Sequence, residues 1–138
     1  MAEKRNVLIV DDSSDDVLVL THALSKVPRP PRVQAVYDGS QAIYYLEGKG
    51  PFADRNEFPL PDLIILDLKM TRVGGFEFLE WLASHPEHRP IVIILSGSAL
   101  STDKDKSLQL GAREYHVKQT DHDDTIALLT GVCERLLK

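Results

Sequence analysis

The chain has 138 residues, 43% of them hydrophobic and 27% charged, with a formal net charge of -5. That is enough for one core, and a single domain, 1–138, without a second is expected. The acidic balance and the lack of any basic run argue against nucleic-acid partners. A single cysteine, Cys133, excludes an internal disulfide and a cysteine-based zinc cluster. No leader follows Met1 and no stretch is long enough to cross a membrane, so a cytoplasmic location is expected.

The first strand is Val7-Leu8-Ile9-Val10, an unbroken apolar run that ends in Asp11-Asp12. Ser14 is the expected N-cap of the next helix, with Asp15 and Asp16 favourably placed in its first turn. Val17, Leu20, Thr21 and Leu24 recur at helical spacing up to the breaker Pro28-Arg29-Pro30-Pro31. A second strand, Val33 to Tyr37, turns at Asp38-Gly39-Ser40 into a helix with Ala42, Ile43 and Leu46 inward. Gly48 to Pro61, with three Pro and two Gly, reads as a polar surface loop without chemical signal.

Leu63 to Leu66 is apolar without alternation, the pattern of a central parallel strand covered on both faces, and Asp67 closes it. In the following loop, the paired Gly74-Gly75 permits positive backbone torsions. Phe76, Leu79, Leu82 and Ala83 mark a helix ending before His85-Pro86. The fourth strand, Ile91 to Leu95, ends in Ser96-Gly97-Ser98. Ser101 or Thr102 can cap the next helix, with Leu108 and Leu110 inward and Gly111 as its stop. The fifth strand, Glu114 to Val117, ends in Lys118, and a last helix from about Asp123 carries Ile126, Leu129, Cys133 and Leu136 on one face. Cys133 is expected in the core. Strands alternating with helices indicate an α/β doubly wound parallel sheet.

In such a sheet the strand ends share one rim, where open α/β sheets bind their ligands. That rim gathers Asp11, Asp12, Asp67, Ser96 and Lys118. Three neighbouring carboxylates call for a cation, and an all-oxygen set selects a hard one, Mg²⁺ in preference to a closed Ca²⁺ cage. A carboxylate beside a metal can attack phosphorus, with Lys118 and the Ser96 hydroxyl neutralising phosphoryl oxygens. Taken singly, each residue has an ordinary reading as well. Asp-Asp can be a capping cluster, Asp67 a loop cap, Ser96 a turn residue and Lys118 a solvated charge.

The motifs Val-Asp-Asp at 10–12, Leu-Asp-Leu at 66–68 with Gly74-Gly75 downstream, Leu-Ser-Gly at 95–97 and Tyr-His-Val-Lys at 115–118 change that balance. On them the chain resembles a response-regulator receiver domain of two-component systems over nearly its whole length. It is most similar to the stand-alone, single-domain type. The long loop before Pro61-Asp62-Leu63-Ile64 and the His85-Pro86 helix end add a likeness to the phytochrome-associated kind.

The resemblance implies a flavodoxin-like sheet in the order 2-1-3-4-5 with five helices. It implies Asp67 as phosphoacceptor, Asp12 as a direct Mg²⁺ ligand, Asp11 as a ligand mainly through water, and Lys69 as a ligand by its backbone carbonyl. Lys118 would contact the phosphoryl group, Ser96 would swing toward it, and Tyr115 would turn inward; an ordinary edge aromatic is the plain alternative for Tyr115. Lys69 and Ser98 flank the pocket and could tune the phosphoryl lifetime. The implied partners are a sensor histidine kinase or phosphotransfer protein and a downstream protein on residues 102–137, with homodimerisation through the same face. Such a chain is no enzyme beyond its own phosphorylation and dephosphorylation.

Three residues depart from the family pattern: Gln119 where proline usually follows the lysine, Thr71 where proline is common after the acceptor, and Gly97 where alanine is common. They leave open a receiver-like scaffold that binds partners without phosphorylation. Other classes fit poorly. A phosphatase using Asp67 would want a second acid where Lys69 stands, an FMN carrier would not set Asp11 to Asp16 against a phosphate, and no P-loop is present.

Overall fold

Alternation along the strands divides the core into two layers. The computed structural model describes residues 5–70 and 72–137; Thr71, and residues 1–4 on which the absence of a leader rests, lie outside them. Side chains on a strand point alternately to opposite faces. Val7 and Ile9 of β1 (Asn6–Val10), Leu63 and Ile65 of β3 (Leu63–Leu66), and Ile93 and Leu95 of β4 (Ile91–Ser96) face one layer. There they meet α1 (Ser14–Leu24) and α5 (His122–Leu136). Leu8, Val10, Ile64, Leu66, Val92 and Ile94 face the other layer, against α2 (Gly39–Glu47) and α3 (Gly75–Ala83). Double coverage explains the continuous apolar runs, and each fully buried aliphatic side chain contributes about 1.5–3 kcal/mol.

With β2 (Arg32–Val36) and β5 (Glu114–Val117) at the edges, the strands pair in parallel in the order β2-β1-β3-β4-β5. This is the flavodoxin-like doubly wound sheet with five helices, the fourth being α4 (Ser101–Gln109). Cys133 is buried in the α1/α5 layer, as its neighbours imply. No described helix is long and apolar enough to cross a membrane.

Several local expectations change. Ser13, not Ser14, caps α1, its hydroxyl accepting from the Asp16 N–H at 3.2 Å. Thr21 is exposed, and Tyr37 falls outside β2, its N–H donating to the Gln41 side chain. Neither Ser101 nor Thr102 caps α4: the cap position is Leu100, whose N–H donates to the Ser98 hydroxyl. Leu110 packs on the α2/α3 layer as expected, but Leu108 points outward at 39% exposure and Ser107 is the residue that α4 buries. Gly111 stops that helix at φ 110°, as expected. α5 begins a residue early, at His122, capped by the Asp121 carboxylate.

Gly48 to Pro61 is more built than its composition suggests. One 3₁₀ turn, Gly50–Phe52, brings Phe52 against Tyr45 of α2, and Phe58 closes the cluster edge-on, with ring centroids 5.2 to 6.0 Å apart. Arg55 donates to the carbonyls of Tyr45, Leu46 and Phe58, tying the end of α2 to the segment that follows it. The segment therefore seals the α2/α3 layer.

Gly74 and Gly75 do not take positive torsions. Gly75 matters for space: a Cβ there would lie 2.7 Å from Leu68 Cα and 2.8 Å from the Asp67 carbonyl oxygen. Glycine lets α3 start directly on the backbone that presents Asp67.

Candidate functional site

Register brings the predicted residues together. Val10 pairs with Leu66, and Ser96 with Val117, so Asp11 lies beside Asp67 and Lys118 is the next residue past Ser96's partner. Backbone bonds extend the sheet across these ends. The N–H of Asp67 donates to Val10 O at 2.9 Å, that of Asp11 to Val36 O at 3.2 Å, and that of Lys118 to Ser96 O at 2.8 Å.

Carboxylate oxygens of Asp11, Asp12 and Asp67 lie within 4.8 Å of one another. Asp11 and Asp67 are buried, at 1% and 6% exposure, so water screens their repulsion poorly. Burial first, and then the charge of Asp11, hold the Asp67 carboxyl above the usual carboxylate range. Lys118 and hydrogen bonds from the Lys69 N–H and the Ser96 hydroxyl oppose that shift. The Lys118 ammonium lies 2.8 Å from Asp16, 2.9 Å from Asp11 and 3.5 Å from Asp67. Burial works against its charge, but hydrogen bonds to Asp16 and Asp11 and the charge of Asp67 outweigh it and raise its pKa above the usual lysine range.

These residues fit a hard divalent cation. All three acids offer oxygen, and Asp11 Oδ2 is a buried atom 2.9 Å from the Lys118 ammonium. Lys69 contributes a backbone N–H to Asp67, and its side chain is exposed. Ser96 is fully buried, and its oxygen accepts from the Ser98 N–H at 3.3 Å. Tyr115 is half-buried against the α2/α3 layer, and its hydroxyl donates to Ser98 O at 2.7 Å. It is therefore tied to the loop after β4. Gln119 folds back on Val117 O, and a Cβ at Gly97 would meet open space, so neither substitution obstructs the rim.

Two participants escape the sequence reading. Asp16, assigned to the helix dipole, reaches back to Lys118. Asp103 accepts from the Ser98 hydroxyl at 2.6 Å and joins α4 to the Ser96 loop. Spacing gives no sign of either contact.

The chain resembles known proteins over most of its length. The phosphorylated cyanobacterial phytochrome response regulator RcpA superposes with a TM-score of 0.87 at 30% identity, covering 99% of this chain and 96% of that one. The Mn²⁺-bound form of response regulator Rcp1 gives 0.83 at 25%, covering 97% and 95%. In sequence, Rcp1 of Synechocystis sp. is 26% identical over 127 residues, 91% of this chain and 84% of that protein. Other relatives are much longer. The chain spans 23% of a probable cyclic di-GMP phosphodiesterase of Vibrio cholerae, at 31% identity over 114 residues, 81% of this chain. The family model for the response regulator receiver domain matches residues 7–130. With that match, the sheet order and the acidic rim, the chain belongs to the response-regulator receiver-domain family, closely matching phytochrome response regulators.

Proposed function

We propose that Asp67 accepts a phosphoryl group from a phosphohistidine of a sensor histidine kinase or phosphotransfer protein, with Mg²⁺ held by Asp11, Asp12, Asp67 and the Lys69 carbonyl. The observation that carries this reading is the juxtaposition of three carboxylates within 4.8 Å with an ammonium 3.5 Å from Asp67. An Asp67 oxygen attacks phosphorus, the P–N bond of the phosphohistidine breaks, and the imidazole nitrogen leaves with its electron pair and takes a proton. The metal supplies charge neutralisation to the phosphoryl oxygens.

The chain's own groups do the positioning. The Lys69 N–H and the Ser96 hydroxyl orient the Asp67 carboxylate, and burial keeps water from competing for it. Lys118 offers its ammonium to a phosphoryl oxygen. A phosphoryl group adds about -1.5 to -2 charge, which draws the Ser96 hydroxyl and biases the loop that Ser98 shares with Tyr115 and Asp103. The output is a changed association with a protein partner, or a second copy, through the face spanning 102–137. Kinship with RcpA and Rcp1 favours a phytochrome-type kinase as donor.

Transfer from radiolabelled phosphorylated kinases, with and without Mg²⁺, tests the reading. Mg²⁺-dependent label that alkali and hydroxylamine remove from the unaltered chain, and none on Asp67→Asn, is the expected result. Failure to take label or to bind fluoroberyllate, with the fold intact, favours the unphosphorylated scaffold.

A further inference from the structure

The ammonium of Lys118 has three N–H donors, and three carboxylates already surround it. Asp16 lies at 2.8 Å and Asp11 at 2.9 Å, whereas Asp67, the proposed acceptor, lies farther away at 3.5 Å. Asp16 is not a strand-end residue: it sits in the first turn of α1, where the Ser13 cap fixes its backbone. A phosphoryl oxygen on Asp67 that comes within hydrogen-bond distance of the ammonium competes with the two nearer carboxylates. Asp11 and Asp67 have side chains only 2% and 7% exposed, and that of Asp16 is 43% exposed. Water therefore re-solvates a released Asp16 carboxylate most cheaply. A cavity of about 40 Å³, bordered by Asp16, Leu20, Lys118, Gln119 and Thr125, gives the pair room to separate.

We propose that Asp16 is a positioning residue that latches Lys118, holding the ammonium beside Asp67 until a phosphoryl oxygen takes the place of the Asp16 carboxylate. This inference rests on Asp67 being the phosphoacceptor. Asp16 thereby competes with the phosphoryl group for Lys118. Release of the latch also unties the start of α1 from the loop between β5 and α5.

Titration calorimetry of the full chain with Mg²⁺ alone, and with fluoroberyllate at saturating Mg²⁺, tests the latch. Asp16→Asn and Asp16→Ala should each tighten fluoroberyllate binding about three-fold, the scale of one partly exposed ion pair. Affinity for Mg²⁺ alone should change by less than that. Asp15→Asn removes the same charge from an exposed neighbour and should leave fluoroberyllate binding unchanged. In a Lys118→Ala background, Asp16→Asn should have no effect, a coupling that loss of general repulsion would not produce.

If the unaltered chain binds fluoroberyllate but Asp16→Asn weakens binding, or tightens it equally without Lys118, the latch is overturned and the phosphoacceptor reading stands. If the unaltered, folded chain binds no fluoroberyllate, both fall.

Discussion

Replacing Asp67 with asparagine should stabilise the protein in the absence of metal. At an effective dielectric near 20, carboxylates no more than 4.8 Å apart repel by at least about 3.5 kcal/mol per pair, so Asp11 and Asp12 together oppose the Asp67 charge by about 7 kcal/mol before any screening of Asp12 by water. Lys118, at 3.5 Å, returns about 5 kcal/mol by the same arithmetic. The balance favours a neutral side chain by about 2 kcal/mol, and an amide oxygen can still accept from the Lys69 N–H and the Ser96 hydroxyl. For a chain of this size that corresponds to a rise in Tm of about 6 °C.

The pH dependence has a definite sign. Because the folded-state pKa of Asp67 is raised, the folded protein binds the proton more tightly than the unfolded chain does. Stability therefore falls as pH rises through the window between the two values, and the asparagine advantage is full above it and gone below it. Mg²⁺ should act oppositely on the two proteins. At 100 times its Kd a bound ion adds about 2.7 kcal/mol to the aspartate form and much less to the asparagine form. Urea unfolding at neutral pH, in EDTA and in Mg²⁺, measures both effects. An asparagine variant less stable than the parent in EDTA, or equal Mg²⁺ stabilisation of both, would refute the account of a crowded carboxylate rim.

Three further outcomes follow from the packing. Gly75→Ala should cost about 2 kcal/mol, because the added methyl meets the backbone of Asp67 and Leu68, and should weaken fluoroberyllate binding beyond its effect on Tm. Phe58→Ala should cost about 2 kcal/mol, as expected for a half-buried ring, and should speed proteolysis between residues 48 and 62, while leaving fluoroberyllate binding unchanged. Glu114 is held at about 2, from an ordinary 4.5, by its hydrogen bond to Arg135, against some desolvation and with help from His116. Its folded pKa is depressed, so the stabilisation is full above the ordinary value and lost as pH falls toward about 2. Acid unfolding of Glu114→Gln should accordingly separate from the parent near neutrality and converge with it at the acid end.

What the sequence reveals is whatever a strand end or a period can encode. Asp11, Asp12, Asp67, Ser96 and Lys118 are legible because each closes an apolar run, and a parallel sheet brings such ends to one rim without further information. Asp16 is not legible. It follows an acidic run that suits a helix start equally well, and its partner is 102 positions away. At α4 only part of the face is legible: Leu110 packs on the core, but the buried residue of the helix is Ser107, a small polar side chain that carries no hydrophobic signal, while Leu108 lies outside. The segment 48–61 lies at the surface as read, but its aromatic cluster is not legible because Phe52, Arg55 and Phe58 recur at no regular period. What orders them is the Tyr45 ring and the carbonyls at the end of α2, which only the folded chain supplies.

The rim is in this sense a product of the core. A slip of one residue between β1 and β3 would take Asp67 from beside Asp11 and send Ile64 and Leu66 into the layer that Leu63 and Ile65 now fill. The layers differ in shape, one receiving α1 and α5, the other Tyr45, Phe78 and the 48–61 aromatics, so the slipped pairing would mismatch both at once. Packing thereby fixes the register, and the register sets three carboxylates and an ammonium within a few ångströms. Their mutual repulsion is supported by apolar burial on both faces of the same strands. The site is therefore a crowded cluster of like charge that the fold holds together and that a bound divalent cation would relieve.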